Sequence, residues 1–376
     1  MIVFLNFAPI EFMGGAEKWI WETAKLTSAK EKTTIVTVDR SISDRYAKLV
    51  LKREFEERVD VKNKDIKRFS LKKSHFIPFS NDYKKAKTVF NTARMIYFKF
   101  DILEVGILFY FCGFSVFPKL IAGVHSPLIY TSPIRFFDRL HNFLYASNFM
   151  KFILKKFNRI HTITIRDQQF LHSIFGLKNV FFIPNSFRIK EVFNQNRETK
   201  DDTLHILFVG ELSQRKGIDI LTTIIETSSN DFTFHIAGNG PHEEVIKELG
   251  ETYRNCTYYG FLQKPELMKL YSKVDVLLLP ARAEGFPLVF HEALKAGLPI
   301  VDSHHVHVGL PNHIEYSVNT QIAEDYADVL DTILRLKRKK KLSLLNKSIK
   351  HYYEEHLDAK VINKKILNQF WGARYA

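Results

Sequence analysis

Cysteine is scarce: the 376 residues contain two, Cys112 and Cys256, far apart and in apolar surroundings. Two such thiols neither staple a small secreted domain nor supply a metal site, so they read as buried thiols of a reducing compartment. Long apolar runs are missing as well. Val105–Pro118 is free of charge but falls short of the ~20 residues needed to cross a bilayer. Met1–Asn6 has no basic leader or cleavage site and reads as a first strand. Neither a G-x-S-x-G elbow nor a Walker sequence occurs, which argues against an esterase or a kinase. These absences lead to the expectation of a cytoplasmic protein without a transmembrane helix.

What is present is ordinary core material with an uneven charge. Apolar residues make up 45% and charged residues 26%, with 33 Phe and 15 Tyr. The net charge is +14, and the excess is all in the amino-terminal half. Residues 1–190 hold 32 Lys and Arg against 16 Asp and Glu, while the remainder holds 23 against 25. That asymmetry implies an anionic partner for the first half: a membrane surface, an acidic acceptor or nucleic acid. No recognised nucleic-acid-binding motif supports the last of these. Pro133–Phe157 sharpens the point, because Arg135, Arg139, Lys151, Lys155 and Lys156 interleave there with Phe136, Phe137, Phe143, Tyr145, Phe149 and Phe152. Such a stretch either lies in a membrane interface or packs its aromatics on a sheet.

Strands and helices alternate along both halves, the pattern of parallel sheets covered on both faces. In the first half the expected strands are Ile2–Asn6, Thr33–Val38, Asp101–Val105, Leu120–Val124, Ile160–Ile165 and Val180–Ile183. Expected helices run from Gly15 to about Ser28, Asp44–Arg58 and Tyr83–Phe98; Val59–Lys87 is basic and without clear period. Glu191–Thr203 is polar and aperiodic and reads as a linker. A second series begins with the strands Leu204–Val209 and Phe232–Ala237, and helices fill Ile322 onward. The expected architecture is α/β: two Rossmann-like, doubly wound domains facing across a cleft. Residues 1–190 would form the first domain, 191–203 the linker and 204–355 the second, followed by a helical tail at 356–376. Lys337–Lys341 is a basic run that reads as a solvated helix face.

The chemistry gathers after the apolar strand Val274–Leu279. Pro280 ends that strand, and a turn then opens a helix that stops at Gly297 and Pro299. Glu284 falls in the turn at the strand's carboxyl end, and Glu292 two helical turns further on. In open α/β sheets ligands bind at those carboxyl ends, and helix starts attract phosphate. Acidic side chains beside an anion site suit a ligand with both hydroxyls and phosphates, such as a nucleotide sugar. Val209–Asp219, VGELSQRKGID, joins another strand end to a helix start and sets Arg215 and Lys216 where a diphosphate would lie. Fixed cations there would offset charge growing on a leaving group. Gly210 and the turn Gly238-Asn239-Gly240-Pro241 follow strand ends, where Gly-rich turns are generic. Gly14-Gly15 follows the first strand, where glycines let the backbone come near an anion. His125 stands at the end of Leu120–Val124. The neighbouring His304, His305 and His307 lack acidic or Cys ligands nearby in sequence, and no metal site is assigned.

Glu284-x7-Glu292 within EGFPLVFHEALKAG resembles the signature of retaining glycosyltransferases of family 4, the GT-B "glycosyl transferases group 1". The resemblance implies that Glu292 binds the ribose hydroxyls and that Glu284 lies against the transferred sugar, flanked by Gly285, Phe286 and Leu288. It gives Arg215 and Lys216 the diphosphate, and it makes His125 a group at the donor sugar or reacting centre. Gly14-Gly15-Ala16-Glu17 resembles the family's mobile first-strand loop, and Gly238-Asn239-Gly240-Pro241 its A-G-x-G-P turn. Departures occur where Glu211 stands for the family's Arg, Ser186 for Gly after Pro184-Asn185, and His307–Asn312 for G-G-x-P-E. No Asp-x-Asp motif is present, and the family uses protein cations and amides in place of a metal. The implied activity is metal-independent, cofactor-free transfer from a UDP-, GDP- or ADP-sugar. The resemblance makes 1–190 the acceptor-binding domain and 204–355 the nucleotide-sugar-binding domain, and implies that the last helix, in 356–376, crosses back to the first. The acceptor would be a glycan or a lipid-linked molecule, reached through the basic half at the inner face of the membrane. Rival readings are a nucleotide-sugar epimerase of the same fold, a silent sugar-nucleotide-binding subunit and a nucleic-acid-binding protein.

Overall fold

The computed structural model describes residues 1–6, 15–39, 66–72, 81–113, 115, 119–130, 136–185, 187–189, 202–319 and 321–371. Gly14, the expected helix Asp44–Arg58, Ser186 and most of the expected linker lie outside them. Two compact units make up the chain. The first comprises Met1–Ile129, Leu140–Ser186 and Ile362–Ala376, and the second Tyr130–Arg139 and Phe187–Val361.

In the first unit the strands are β1 (Ile2–Asn6), β2 (Thr33–Asp39), β3 (Ile66–Lys72), β4 (Met95–Lys99), β5 (Leu120–Val124), β6 (Arg159–Thr162) and β7 (Val180–Phe182). They form one parallel sheet in the order β3-β2-β1-β4-β5-β6-β7. The helices are α1 (Gly15–Ser28), α2 (Asn81–Thr92), α3 (Ile102–Cys112), α4 (Phe136–Tyr145), α5 (Asn148–Leu154) and α6 (Ile165–Ser173). The first residues of α4 fall in the segment grouped with the second unit. Side chains alternate between the two sheet faces because the strand period is two. Val3, Leu5, Ile96 and Phe98 enter one core, with Leu108 of α3, Tyr145 of α4, Met150 of α5 and Leu171 of α6. Ile2, Phe4, Met95 and Tyr97 enter the other, with Trp19 and Ile20 of α1. Ile362, Ile366 and Phe370 of the last helix, α13 (Ala359–Trp371), complete this second core.

Two expectations are corrected here. The helix expected over Tyr83–Phe98 ends at Thr92, and Met95–Lys99 is strand β4. The strand expected at Asp101–Val105 is instead the start of helix α3. The apolar stretch on either side of Asp101 has no single period. Its first part alternates between two buried faces, and its second is long enough for three helical turns, which a short strand does not need. β3, which the sequence pattern left unplaced, is a basic edge strand, IKRFSLK, of the kind that discourages pairing with other chains. The reading in which the aromatics of 133–157 pack on the sheet is also corrected. Phe136, Phe137, Phe143, Phe149 and Phe152 are 74, 75, 78, 58 and 54% exposed, and only Tyr145 and Phe157 of this stretch's aromatics are buried.

The second unit repeats the plan with β8 (Leu204–Val209), β9 (Phe232–Ala237), β10 (Cys256–Tyr258), β11 (Val276–Leu279), β12 (Ile300–Ser303) and β13 (Glu315–Val318). The sheet is parallel, ordered β10-β9-β8-β11-β12-β13. Its helices are α7 (Ile218–Thr227), α8 (Glu243–Thr252), α9 (Lys264–Tyr271), α10 (Leu288–Ala296), α11 (Ala323–Arg338) and α12 (Leu342–Tyr352). α10 stops at Gly297, whose left-handed φ of 76° closes the helix at low steric cost.

Candidate active site

β8 and β11 are neighbours, yet the chain leaves β8 toward β9 on one side and β11 toward β12 on the other. At such a switch point the connecting loops diverge and leave a crevice above the strand ends, where α/β sheets take their ligands. Three loops meet there: 210–217 after β8, 238–242 after β9 and 280–287 after β11. They pack backbone to backbone. A Cβ on Gly238 would fall 1.8 Å from Gly210 O, and one on Gly217 2.0 Å from Pro280 O. Both glycines have positive φ, 140° and 75°, so the close approach and the conformation each exclude other residues. Arg282 ties the first loop to the third. Its amide donates to Arg215 O at 2.8 Å, and its guanidinium grips Asp219 with two 2.6 Å bonds and Gln214 O at 2.8 Å.

On this frame the cations and the first acid converge. Lys216 Nζ lies 2.7 Å from Glu284 Oε1, and Arg215 Nη1 donates to the same oxygen. Arg215 also reaches Ala283 O at 3.2 Å and Glu211 Oε2 at 3.4 Å. Glu211, the acid standing where the resembling family has Arg, is thus a partner of Arg215. Burial pushes the Glu284 carboxyl up, but Lys216 and then Arg215 outweigh it, and its pKa lies below the ordinary value. For Arg215 burial works downward and Glu284 and Glu211 work upward, leaving the guanidinium more basic than usual.

Glu292 sits apart from that cluster on α10, 8% exposed, and takes an ion pair from Lys264. Lys264 is the first residue of α9, whose start is fixed by a capping box between Gln263 and Glu266. The buried Tyr271 hydroxyl is held far above its usual pKa, first by burial and then by the charge of Glu292 and a hydrogen bond to it. Gly285 and Leu288 are half-buried at the start of α10. The Phe286 ring is buried, 4.8 Å from the His291 ring, so its backbone is the part able to meet a ligand.

The loop after β12 differs in sequence from the resembling family, and Glu315 organises it. Its buried carboxylate accepts from the amides of Val308, Gly309 and Leu310 at 2.8, 3.1 and 2.7 Å. His307 pairs with Ser317 at 2.8 Å, and His305 with Gln321 at 3.0 Å. Among the described residues no group of three or more His, Cys, Asp or Glu is arranged to hold a metal.

His125 and Gly15 belong to the first unit. His125 follows β5, where Tyr97 Oη lies 2.8 Å from its Nε2 and 2.7 Å from His161 Nδ1, and His161 Nε2 lies 2.7 Å from Ile183 O. With neutral rings only one proton arrangement satisfies this chain. Ile183 O can only accept, so His161 Nε2 donates to it and His161 Nδ1 accepts from Tyr97. Tyr97 then accepts from His125 Nε2–H, and His125 Nδ1 is left as an acceptor. Burial, then His161 and Lys99, hold the His125 pKa well below normal, and burial brings His161 down to about 4. Both rings are therefore neutral at pH 7. Gly15 opens α1 with nothing within 4 Å of a Cβ placed on it. Glu17, in the first turn of α1, lies 3.4 Å from Lys99.

Sequence pattern alone did not single out Arg282, Lys264, Glu315, Tyr97 or His161. Arg282 adjoins the Glu284 turn and Lys264 opens a capped helix, which are the only local signals they carry. Tyr97 and His161 look like ordinary strand residues until the sheet aligns them.

Comparison with known proteins follows the same outline. The sequence model of the family described as Glycosyl transferases group 1 matches residues 203–339. An uncharacterized 41.2 kDa protein in the cps region of Klebsiella pneumoniae is 37% identical over 115 residues, 30% of this chain and 31% of that one. The amylovoran biosynthesis glycosyltransferase AmsK of Erwinia amylovora is 29% identical over 164 residues, 40% of this chain and 39% of that one. The matched stretch thus spans about a third of the length of these curated relatives. The crystal structure of Anabaena Alr3699/HepE in complex with UDP superposes with a TM-score of 0.71 over 98% of this chain and 99% of that one, at 16% identity. The same protein has been solved with UDP-glucose. The likeness establishes the fold as GT-B, two Rossmann-like units in one chain.

Proposed function

We propose that this chain, which carries a group 1 glycosyl transferase segment at 203–339, is a retaining glycosyltransferase that uses a nucleotide diphosphate sugar without a metal. One observation carries the reading: Arg215 and Lys216 converge on Glu284 at the switch point of the second sheet. A diphosphate entering there meets two cations already held in place. It takes them over from Glu284, whose carboxylate is then free to accept hydrogen bonds from hydroxyls of the transferred sugar. Glu292 serves the ribose hydroxyls, with Lys264 paired to its carboxylate. As the bond from sugar to phosphate breaks, charge grows on the leaving nucleoside diphosphate. Lys216 and Arg215 stabilise it more strongly than the ground state, which is the requirement for acceleration. A uridine base is the first choice because the superposable Anabaena protein is described in complex with UDP and UDP-glucose. A glycan or lipid-linked acceptor is favoured because AmsK is named for biosynthesis of a polysaccharide.

A panel of UDP-, GDP- and ADP-sugars tested by thermal shift identifies the donor, since a ligand bound only by the native state raises Tm. Release of the nucleoside diphosphate in the presence of glycan acceptors then measures transfer. Glu292→Ala is expected to lower kcat/KM by at least ~100-fold while circular dichroism and Tm without ligand stay close to those of the parent protein. Undiminished transfer by this variant contradicts the assignment, and an epimerised donor in the absence of acceptor replaces it with the epimerase reading.

A further inference from the structure

Of the fourteen large apolar side chains that are exposed among the described residues, eight lie between Phe109 and Phe152. The other six are scattered from Ile174 to Leu344. Singly exposed apolar residues need no explanation, but a concentration does. The part of it within Leu140–Arg159 has a defined construction. Tyr145 of α4, Met150 and Leu154 of α5 and Phe157 beyond it are buried in one core on one face of the first sheet. The outward sides of these consecutive helices therefore point away from the same sheet face. Those sides carry Leu140 and Phe143 on α4 and Phe149 and Phe152 on α5, between 49 and 78% exposed. Spacings of three residues stack each pair along its helix.

The charge of the segment selects what covers it. From Leu140 to Arg159 there are four basic residues, Lys151, Lys155, Lys156 and Arg159, and no acidic one. Lys155 and Lys156 are exposed, and the Lys156 ammonium rides over the Phe152 ring at 4.8 Å. An aromatic edge flanked by ammonium groups matches the boundary of an anionic bilayer, where rings sit at headgroup level and lysines meet phosphates. Neither helix approaches the length of a spanning segment, at 10 and 7 residues, so the fit is to a bilayer surface and not to its interior. A protein partner of mixed charge would leave the run of lysines unopposed.

We propose that the outer sides of α4 and α5 dock this protein onto the surface of a negatively charged lipid bilayer. The inference goes beyond the proposed transfer reaction and stands or falls independently of it. The test is co-sedimentation of the full chain with vesicles of phosphatidylcholine alone and with 30% phosphatidylglycerol. The parent protein is expected to sediment with the anionic vesicles at least ~10-fold more than with the neutral ones, with the difference shrinking as salt is raised. Phe143→Ser/Phe149→Ser/Phe152→Ser should lose most of that binding, as should Lys151→Glu/Lys155→Glu/Lys156→Glu. Tm of each variant without lipid, and its shift with UDP, are measured alongside. Because the replaced side chains point outward, both values should match those of the parent. Equal sedimentation with neutral vesicles, no sedimentation with either, or variants that bind like the parent overturns the proposal. A lipid-free dimer that the serine variant converts to monomer, seen by analytical ultracentrifugation, also overturns it and makes this surface a self-interface.

Discussion

Tyr97 shows how much one side chain can settle. Its hydroxyl joins two buried histidines, and a Cβ at Gly123 would lie 1.9 Å from it, so the glycine on the next strand is what makes room. The hydroxyl fixes the tautomer of His125 by accepting from its Nε2. Tyr97→Phe removes that constraint and leaves the packing of the ring in place. If His125 acts at the donor sugar, kcat is expected to fall ~10- to 100-fold with the donor KM little changed, the size of effect seen when a supporting hydrogen bond is deleted. Steady-state kinetics check this, and an unchanged kcat shows that the tautomer is irrelevant to catalysis. His291 makes the opposite point. It is fully buried on α10, both ring nitrogens lack a hydrogen-bond partner among the described residues, and burial lowers its pKa to about 3. A buried polar group left unpaired costs about 1–3 kcal/mol. His291→Leu should therefore raise unfolding stability by ~1 kcal/mol in a urea titration, and a loss of stability would show that the ring packing outweighs the polar cost.

At the scale of elements, the site depends on loops held by groups outside it. Arg282 joins the loop after β11 to the one after β8, and its side chain is only 10% exposed. Asp219 is half exposed, which screens the pair, so Arg282→Ala is expected to cost about 1–3 kcal/mol and not the full figure for a buried ion pair. Donor affinity should fall with it, because Arg215 and Lys216 lose their support; calorimetry on the folded variant checks both. The same scale explains what could be read from the sequence. The Glu284 turn, α10 and the Gly217 helix start were legible because Pro280, Gly297 and the glycine each impose a local backbone geometry. Tyr83–Val105 was misread because β4 and α3 are both apolar, and only the two-sided burial of the sheet separates their periods. Arg282, Lys264 and Glu315 escaped notice because each acts on a loop distant in sequence, and no local pattern marks such a partnership.

The whole molecule should respond to acid through its neutral histidines. The native pKa values of His125 and His161 are depressed, that of His161 to about 4, and those of His235 and His291 fall to about 4 and about 3. The unfolded chain then binds protons first. Stability is full above pH ~6.5 and declines as pH falls from there toward 4, by up to ~3 kcal/mol for His161. The depressed carboxylate of Glu284 adds its loss only below the unfolded value of about 4.5. Urea midpoints should thus already drop between pH 7 and 5, and a flat profile over that range would contradict neutral burial of these rings. The excess positive charge lies in residues 1–190, whereas the nucleotide diphosphate is proposed for the second unit, at Arg215 and Lys216. Isothermal titration of UDP into the parent protein and into Lys216→Ala measures that directly. One site per chain and at least ~30-fold weaker binding in the variant are the expected result. Equal affinity in the two proteins, or no binding by the parent to UDP, GDP or ADP, would contradict it.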